Sequence, residues 1–192
     1  MLMVKSKMVK ALNGLRTCGW REEIDKLEKC GSIKELYGEF KGYIDTVCIE
    51  FYVAYGSNMD TLQMDYRCPS SVLYDKVVIN NYKFVLDSCD FASIVKSESD
   101  SVECLVWLCP KDDIKTLDRY EGVAYNCYEK SHIDVIIDGI KVNMLIYFSL
   151  REICTPDTCG YNENYMERIV AAAEEFRFSE SYIEELKKWL KY

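Results

Sequence analysis

An α+β fold, with its strands in one mixed sheet, is what the order of patterns in this 192-residue chain predicts. Three observations carry that expectation. The middle of the chain is dense in β-branched and aromatic runs, one amphipathic helix interrupts them, and helical periodicity returns only in the tail. Strands and helices therefore do not alternate as a doubly wound parallel sheet requires, and a mixed sheet or barrel is expected.

Residues 1–46 read as a helical extension. Trp20, Ile24 and Leu27 recur at helical spacing, and Ile33, Leu36, Tyr37, Phe40 and Ile44 repeat the pattern after Ser32, with Glu35 placed for a capping box. The remaining 47–192 form the main domain. TVCIEFYVAYGSN is a nearly continuous apolar strand that stops at a Gly-Ser-Asn turn, and a short helix from Asp60 to Arg67 follows. SVLYDKVVI and YKFVLDS flank Asn80 and Asn81, a pair that tolerates positive φ and is expected to close a turn. ASIVKSE and VECLVWLC are two further strands. Pro110 opens a helix with Asp112 and Asp113 in its first turn, and Gly122 is its natural left-handed stop. CYEKSHIDVII and IKVNMLIYF form a hairpin through Asp138-Gly139. Two helices close the chain, near 163–176 and 181–191, the second with Ser181 and Glu184 in capping-box register.

Composition narrows the function. A net charge of −8, with +2 on residues 1–46 and −10 on the rest, disfavours nucleic acid or an anionic membrane as the main partner. No apolar stretch is long enough to span a bilayer, and MLMVKSKMVKALNGL lacks a secretory pattern, so a cytoplasmic location is expected. None of the ten cysteines pairs at a two-residue gap. Reduced, core-forming cysteines and no metal or cofactor are therefore expected. The single histidine, His132, lies in an alternating strand with no serine or cysteine tied to it, which weakens a Ser-His or Cys-His hydrolase.

Three places remain for chemistry. Tyr55-Gly56-Ser57-Asn58-Met59 turns from a buried strand into a helix, where successive N–H groups can converge on a carboxylate or oxyanion; the same composition also suits an ordinary turn. Glu121 stands in the last helical turn, at the end where the macrodipole opposes an anion by about 0.3–1 kcal/mol. With partial burial it becomes a general base of raised pKa, and without it a solvated residue beside Arg119. Tyr128 and Tyr147 lie in strands, as pocket lining or as aromatic core.

Together, YGSNM after a buried first strand and LDRYEGV some sixty residues later resemble the paired signatures of the gamma-glutamylcyclotransferase superfamily, over roughly 47–192. The resemblance implies a mixed β-barrel surrounded by helices, and an enzyme that cyclises the gamma-glutamyl group of a gamma-glutamyl amide to 5-oxoproline and releases the amine. It implies Glu121 as general acid and base, and Tyr55, Gly56, Ser57, Asn58, Tyr128 and Tyr147 as substrate-binding groups. Its partner would be a small gamma-glutamyl molecule, with a homodimer as the assembly to test. The stretch 152–165 is a candidate for the leaving-group pocket or a plain connector. A carboxylate-binding or protein-interaction module on the same fold is the alternative from another class.

Overall fold

The computed structural model describes residues 49–137, 139–160 and 163–190, so the expected 1–46 extension lies outside the described residues. Strands β1 (Ile49–Ala54), β2 (Val72–Leu86), β3 (Ala92–Pro110), β4 (Tyr128–Ile137) and β5 (Ile140–Ser149) form one sheet in the order β2-β3-β1-β5-β4. Helices α1 (Thr61–Arg67), α2 (Lys111–Tyr120), α3 (Glu163–Glu175) and α4 (Glu180–Lys187) surround it. Pairing is antiparallel except where β1 meets β5 in parallel, Tyr52 against Leu145. The α+β expectation stands, and no described helix is long and apolar enough to cross a membrane.

The expected barrel does not form among the described residues. Its edges, β2 and β4, share no hydrogen-bonded register, so the sheet stays open. Side chains occupy the gap in part, with Tyr82 of β2 stacked on Phe148 of β5 at 6.0 Å. Much of β4 alternates exposed with buried positions, as an antiparallel strand with one wet face does.

Asn80 and Asn81 also depart from expectation. Asn81 takes φ of 64°, but as a bulge inside one long β2, where the register with β3 slips between Asn80 and Tyr82. The turn lies instead at 87–91, where Asp87 Oδ1 accepts from the N–H groups of Cys89 (2.9 Å) and Phe91 (3.1 Å). ASIVKSE and VECLVWLC are consequently one strand, β3. In the tail, Ser179 rather than Ser181 caps α4, its hydroxyl accepting from Tyr182 N–H.

The centre of the sheet is the most deeply buried: residues 51–54 of β1 and 104–109 of β3 lie side by side with sheet neighbours on both edges, while the middle of β3 is exposed at Lys96, Glu98, Ser99 and Ser101. Of the seven described cysteines, all free thiols, Cys68, Cys104, Cys109 and Cys159 are buried as core residues; Cys89 is exposed, against the expectation for it. Local signals fix the helix that leads to the site. Pro110 caps α2, Asp112 and Asp113 fill its first turn, and Gly122 at φ 64° stops it just past Glu121. His132 is exposed on β4 and lies 3.6 Å from Glu50.

Candidate active site

Where β1 ends, Gly56 leads into a single 3-10 turn, Ser57–Met59, and Asp60 then caps α1 by accepting from Leu62 N–H (2.8 Å) and Gln63 N–H (3.2 Å). Trp107 Nε1 fixes the turn from β3 by donating to the Asn58 carbonyl at 3.1 Å. A side chain at Gly56 would press on its neighbours. A Cβ there would stand 3.0 Å from Ala92 Cβ and 3.4 Å from the Tyr165 hydroxyl. The turn, the end of α2, the first residue of β4, the end of β5 and α3 surround a small cavity.

Glu121 enters this cavity from the end of α2. Its side chain is 13% exposed, Oε1 accepts from Asn58 Nδ2 at 2.9 Å, and Arg67 Nη1 lies 3.7 Å away. Burial raises its pKa above the usual carboxylate range; Asn58 and Arg67 pull it back and Asp118 pushes it further up. Arg67 in turn rests over the Tyr120 ring at 4.7 Å.

Five phenols complete the wall: Tyr52 and Tyr55 of β1, Tyr128 of β4, Tyr147 of β5 and Tyr165 of α3. Burial raises the pKa of each, that of Tyr165 to about 12, so all five are neutral at physiological pH. Their hydroxyls also have protein partners. Tyr55 donates to the Tyr147 carbonyl, Tyr128 to the Ala92 carbonyl at 2.7 Å and Tyr147 to Asp118 Oδ1 at 2.6 Å. The Tyr165 hydroxyl accepts from Ala92 N–H at 3.1 Å. Beside this cavity opens a second, roomier one, lined by Ser57, Gln63, Arg67, Asn164, Tyr165 and Arg168. Among the described residues no group of three or more His, Cys, Asp or Glu side chains is gathered as metal ligands would be.

The chain is similar to known proteins in both sequence and shape. The AIG2-like family matches residues 101–186. Gamma-glutamylcyclotransferase of Mus musculus is 29% identical over 149 residues, spanning 71% of this chain and 76% of that protein. That of Bos taurus is 30% identical over 94 residues, 44% of this chain, and this chain spans about half of that relative's length, 50%. A solved gamma-glutamyl cyclotransferase superposes with a TM-score of 0.64 at 23% identity, covering 72% of this chain and 86% of its own. The family match, the curated relatives and the shared fold all support the gamma-glutamylcyclotransferase-like superfamily. An uncharacterised human protein shares the fold equally well, with a TM-score of 0.64 at 24% identity over 73% of this chain and 87% of that one.

All seven residues singled out in the sequence, Glu121, Tyr55, Gly56, Ser57, Asn58, Tyr128 and Tyr147, line the one cavity. Sequence reasoning missed Tyr52, Ala92 and Tyr165 in the same wall, and Gln63, Arg67 and Asp118 behind it. Tyr52 stands inside β1, three residues before Tyr55, an interval a strand interior gives no reason to notice. Tyr165 ends the stretch 152–165 set aside as a pocket candidate, and that stretch contributes Asn164 and Tyr165 to the second cavity.

Proposed function

We propose that the protein is a gamma-glutamylcyclotransferase, with Glu121 as its general acid and base. The observation that carries the reading is a buried carboxyl that faces a small cavity walled by a tight glycine turn and neutral phenols. The substrate provides the nucleophile. Its α-amino nitrogen attacks its own γ-carbonyl carbon, forming the ring C–N bond of 5-oxoproline while the bond from that carbon to the leaving nitrogen breaks. Glu121 takes a proton from the α-ammonium and returns it to the departing nitrogen, and the second proton, shed by the attacking nitrogen as the ring closes, follows through the same carboxyl, so the amine leaves as its ammonium and the enzyme ends as it began. A carboxyl of raised pKa suits both roles, because it gains and loses its proton nearer to neutral pH.

The N–H groups that open the turn at Gly56, Ser57 and Asn58 hold the substrate's α-carboxylate or the oxyanion that develops on the γ-oxygen. Tyr55, Tyr128 and Tyr147 shape the wall and, through their bonds to backbone and Asp118, keep it rigid. The amine leaves toward the adjoining cavity between α1 and α3.

Incubation of the full chain with a panel of gamma-glutamyl dipeptides and gamma-glutamyl amines, following 5-oxoproline, tests the reading. Release by the native chain and its loss in Glu121→Gln supports it, and equal rates overturn it. Saturable binding of a carboxylate metabolite with no turnover of any panel member would favour the binding-module alternative.

A further inference from the structure

Behind Glu121, donor and acceptor chemistry fixes the direction of a chain of amides. A guanidinium carries only N–H donors. The Gln63 atom 2.6 Å from Arg168 Nη1 is therefore its oxygen, Oε1. That leaves the Gln63 NH2 facing the other way, toward Ser57 Oγ and Asn58 Oδ1, both at 2.9 Å. Arg67 Nη1, 2.8 Å from the same Asn58 Oδ1, imposes the same orientation on Asn58 independently. The Asn58 NH2 then gives one hydrogen to the Tyr52 hydroxyl at 2.8 Å and one to Glu121 Oε1 at 2.9 Å. Every hydrogen of both amides is engaged.

We propose that Arg67 and Gln63, the latter oriented by Arg168, are positioning residues that lock the Asn58 amide with its NH2 toward Glu121 and so maintain Glu121 as a proton acceptor. The proposal rests on the reading of Glu121 as the base. Asn58 is 5% exposed, so no bulk water compensates a wrong orientation. A flipped amide would set Oδ1 against the Glu121 carboxylate and NH2 against the Arg67 guanidinium, two like-with-like contacts in place of two charge-assisted hydrogen bonds.

The other groups facing Glu121 do not provide this service. Asp118, on the same helix, opposes ionisation. Tyr52 and Tyr55 from β1, Tyr128 from β4, Tyr147 from β5 and Tyr165 from α3 are neutral. Only Asn58 and Arg67 oppose the desolvation of the carboxyl.

The test titrates Glu121 directly, by carbon-13 NMR of the full chain with labelled glutamate carboxyls, its resonance assigned by its absence in Glu121→Gln. Arg67→Met is expected to raise the midpoint by about one to two pH units, and Arg67→Lys, which keeps a charge and a donor, to return it to within about half a pH unit of wild type. Gln63→Glu turns a donor into an acceptor against Asn58 while retaining Arg168 as its partner, and is expected to raise the midpoint by about one pH unit. Leu62→Glu, on the exposed side of the same helix, controls for added charge and should leave the midpoint within about 0.3 of a pH unit. Unmoved midpoints in Arg67→Met and Gln63→Glu overturn the proposal, as does a change in Leu62→Glu equal to that in Gln63→Glu. Should Arg67→Met fail to fold, Gln63→Glu carries the test. With gamma-glutamyl-alanine as substrate, the acidic limb of kcat/KM should move with the midpoint. Midpoints that move as stated in a chain that releases no 5-oxoproline leave the lock standing and remove the base; Glu121-dependent release with unmoved midpoints does the reverse.

Discussion

Gly122→Ala probes how the backbone aims the candidate base. Gly122 has φ of 64°, and a Cβ there would stand 2.9 Å from Cys127 Cβ and 3.0 Å from its Sγ. Left-handed backbone costs a non-glycine residue about 1–2 kcal/mol. The overlap adds about 1–3 kcal/mol, because Cys127 Cβ is fixed to a backbone whose N–H donates to the Gly122 carbonyl at 3.1 Å, so relief requires the loop to move. The expected loss is therefore about 2–5 kcal/mol in urea denaturation. Gly139→Ala isolates the first contribution. Its φ is 75° but a Cβ would meet nothing within 4 Å, so it should lose only about 1–2 kcal/mol. Because Glu121 precedes Gly122, the movement also displaces the carboxyl, and 5-oxoproline release should fall further in Gly122→Ala than the fraction of unfolded protein accounts for. Equal losses in the two variants would refute the overlap, and full activity in folded Gly122→Ala would refute the aiming role.

Glu121→Gln should stabilise the protein at neutral pH. A carboxyl whose pKa is raised on folding makes the native state lose stability as pH rises through that pKa, so the variant's advantage, on the order of 1 kcal/mol, should be present at pH 7–8 and fade below about pH 4. A gain that is the same at every pH would contradict the assigned cause. Asp87→Ala should cost about 3 kcal/mol, because fully buried Asp87 holds Arg151 at 3.0 Å, Ser149 Oγ at 2.6 Å and two N–H groups of the β2–β3 turn; a loss under about 1 kcal/mol in the same assay would contradict it. Tyr182→Phe should leave stability unchanged or slightly raised in thermal unfolding, since its hydroxyl is buried without a hydrogen-bond partner among the described residues, and a marked drop in Tm would show otherwise.

What could be read from the sequence follows the range of each signal. Pro110, Gly122 and Asp138-Gly139 act on their own neighbours, so the bounds of α2 and the β4–β5 hairpin were legible from composition alone. Asn80-Asn81 misled because positive φ serves a bulge as well as a turn. The choice lay with Tyr82 pairing Lys96 and Val85 pairing Ser93 across the sheet, contacts no local pattern encodes. The cluster Asp87, Ser88, Cys89 and Asp90 was the better turn signal, since an aspartate can cap its own following N–H groups. Ser181 likewise had the spacing of a cap, while Ser179 has the geometry.

The same division holds in the site. Gly56, Ser57 and Asn58 are contiguous and visible as a loop. Gln63 and Arg168 meet across a separation of 105 residues, and Tyr165 reaches Ala92 across 73. The order of patterns left sheet and barrel both open, the resemblance tipped the expectation to a barrel, and the open edge between β2 and β4 belongs to this chain's own pairing.

The account turns on one side chain, and one measurement addresses it: 5-oxoproline released from gamma-glutamyl dipeptides and amines by the native chain and by Glu121→Gln, both shown folded at the assay temperature. The structure predicts release by the first and a fall of at least about a hundredfold in the second, the scale of a lost general base. Undiminished release by Glu121→Gln would contradict it.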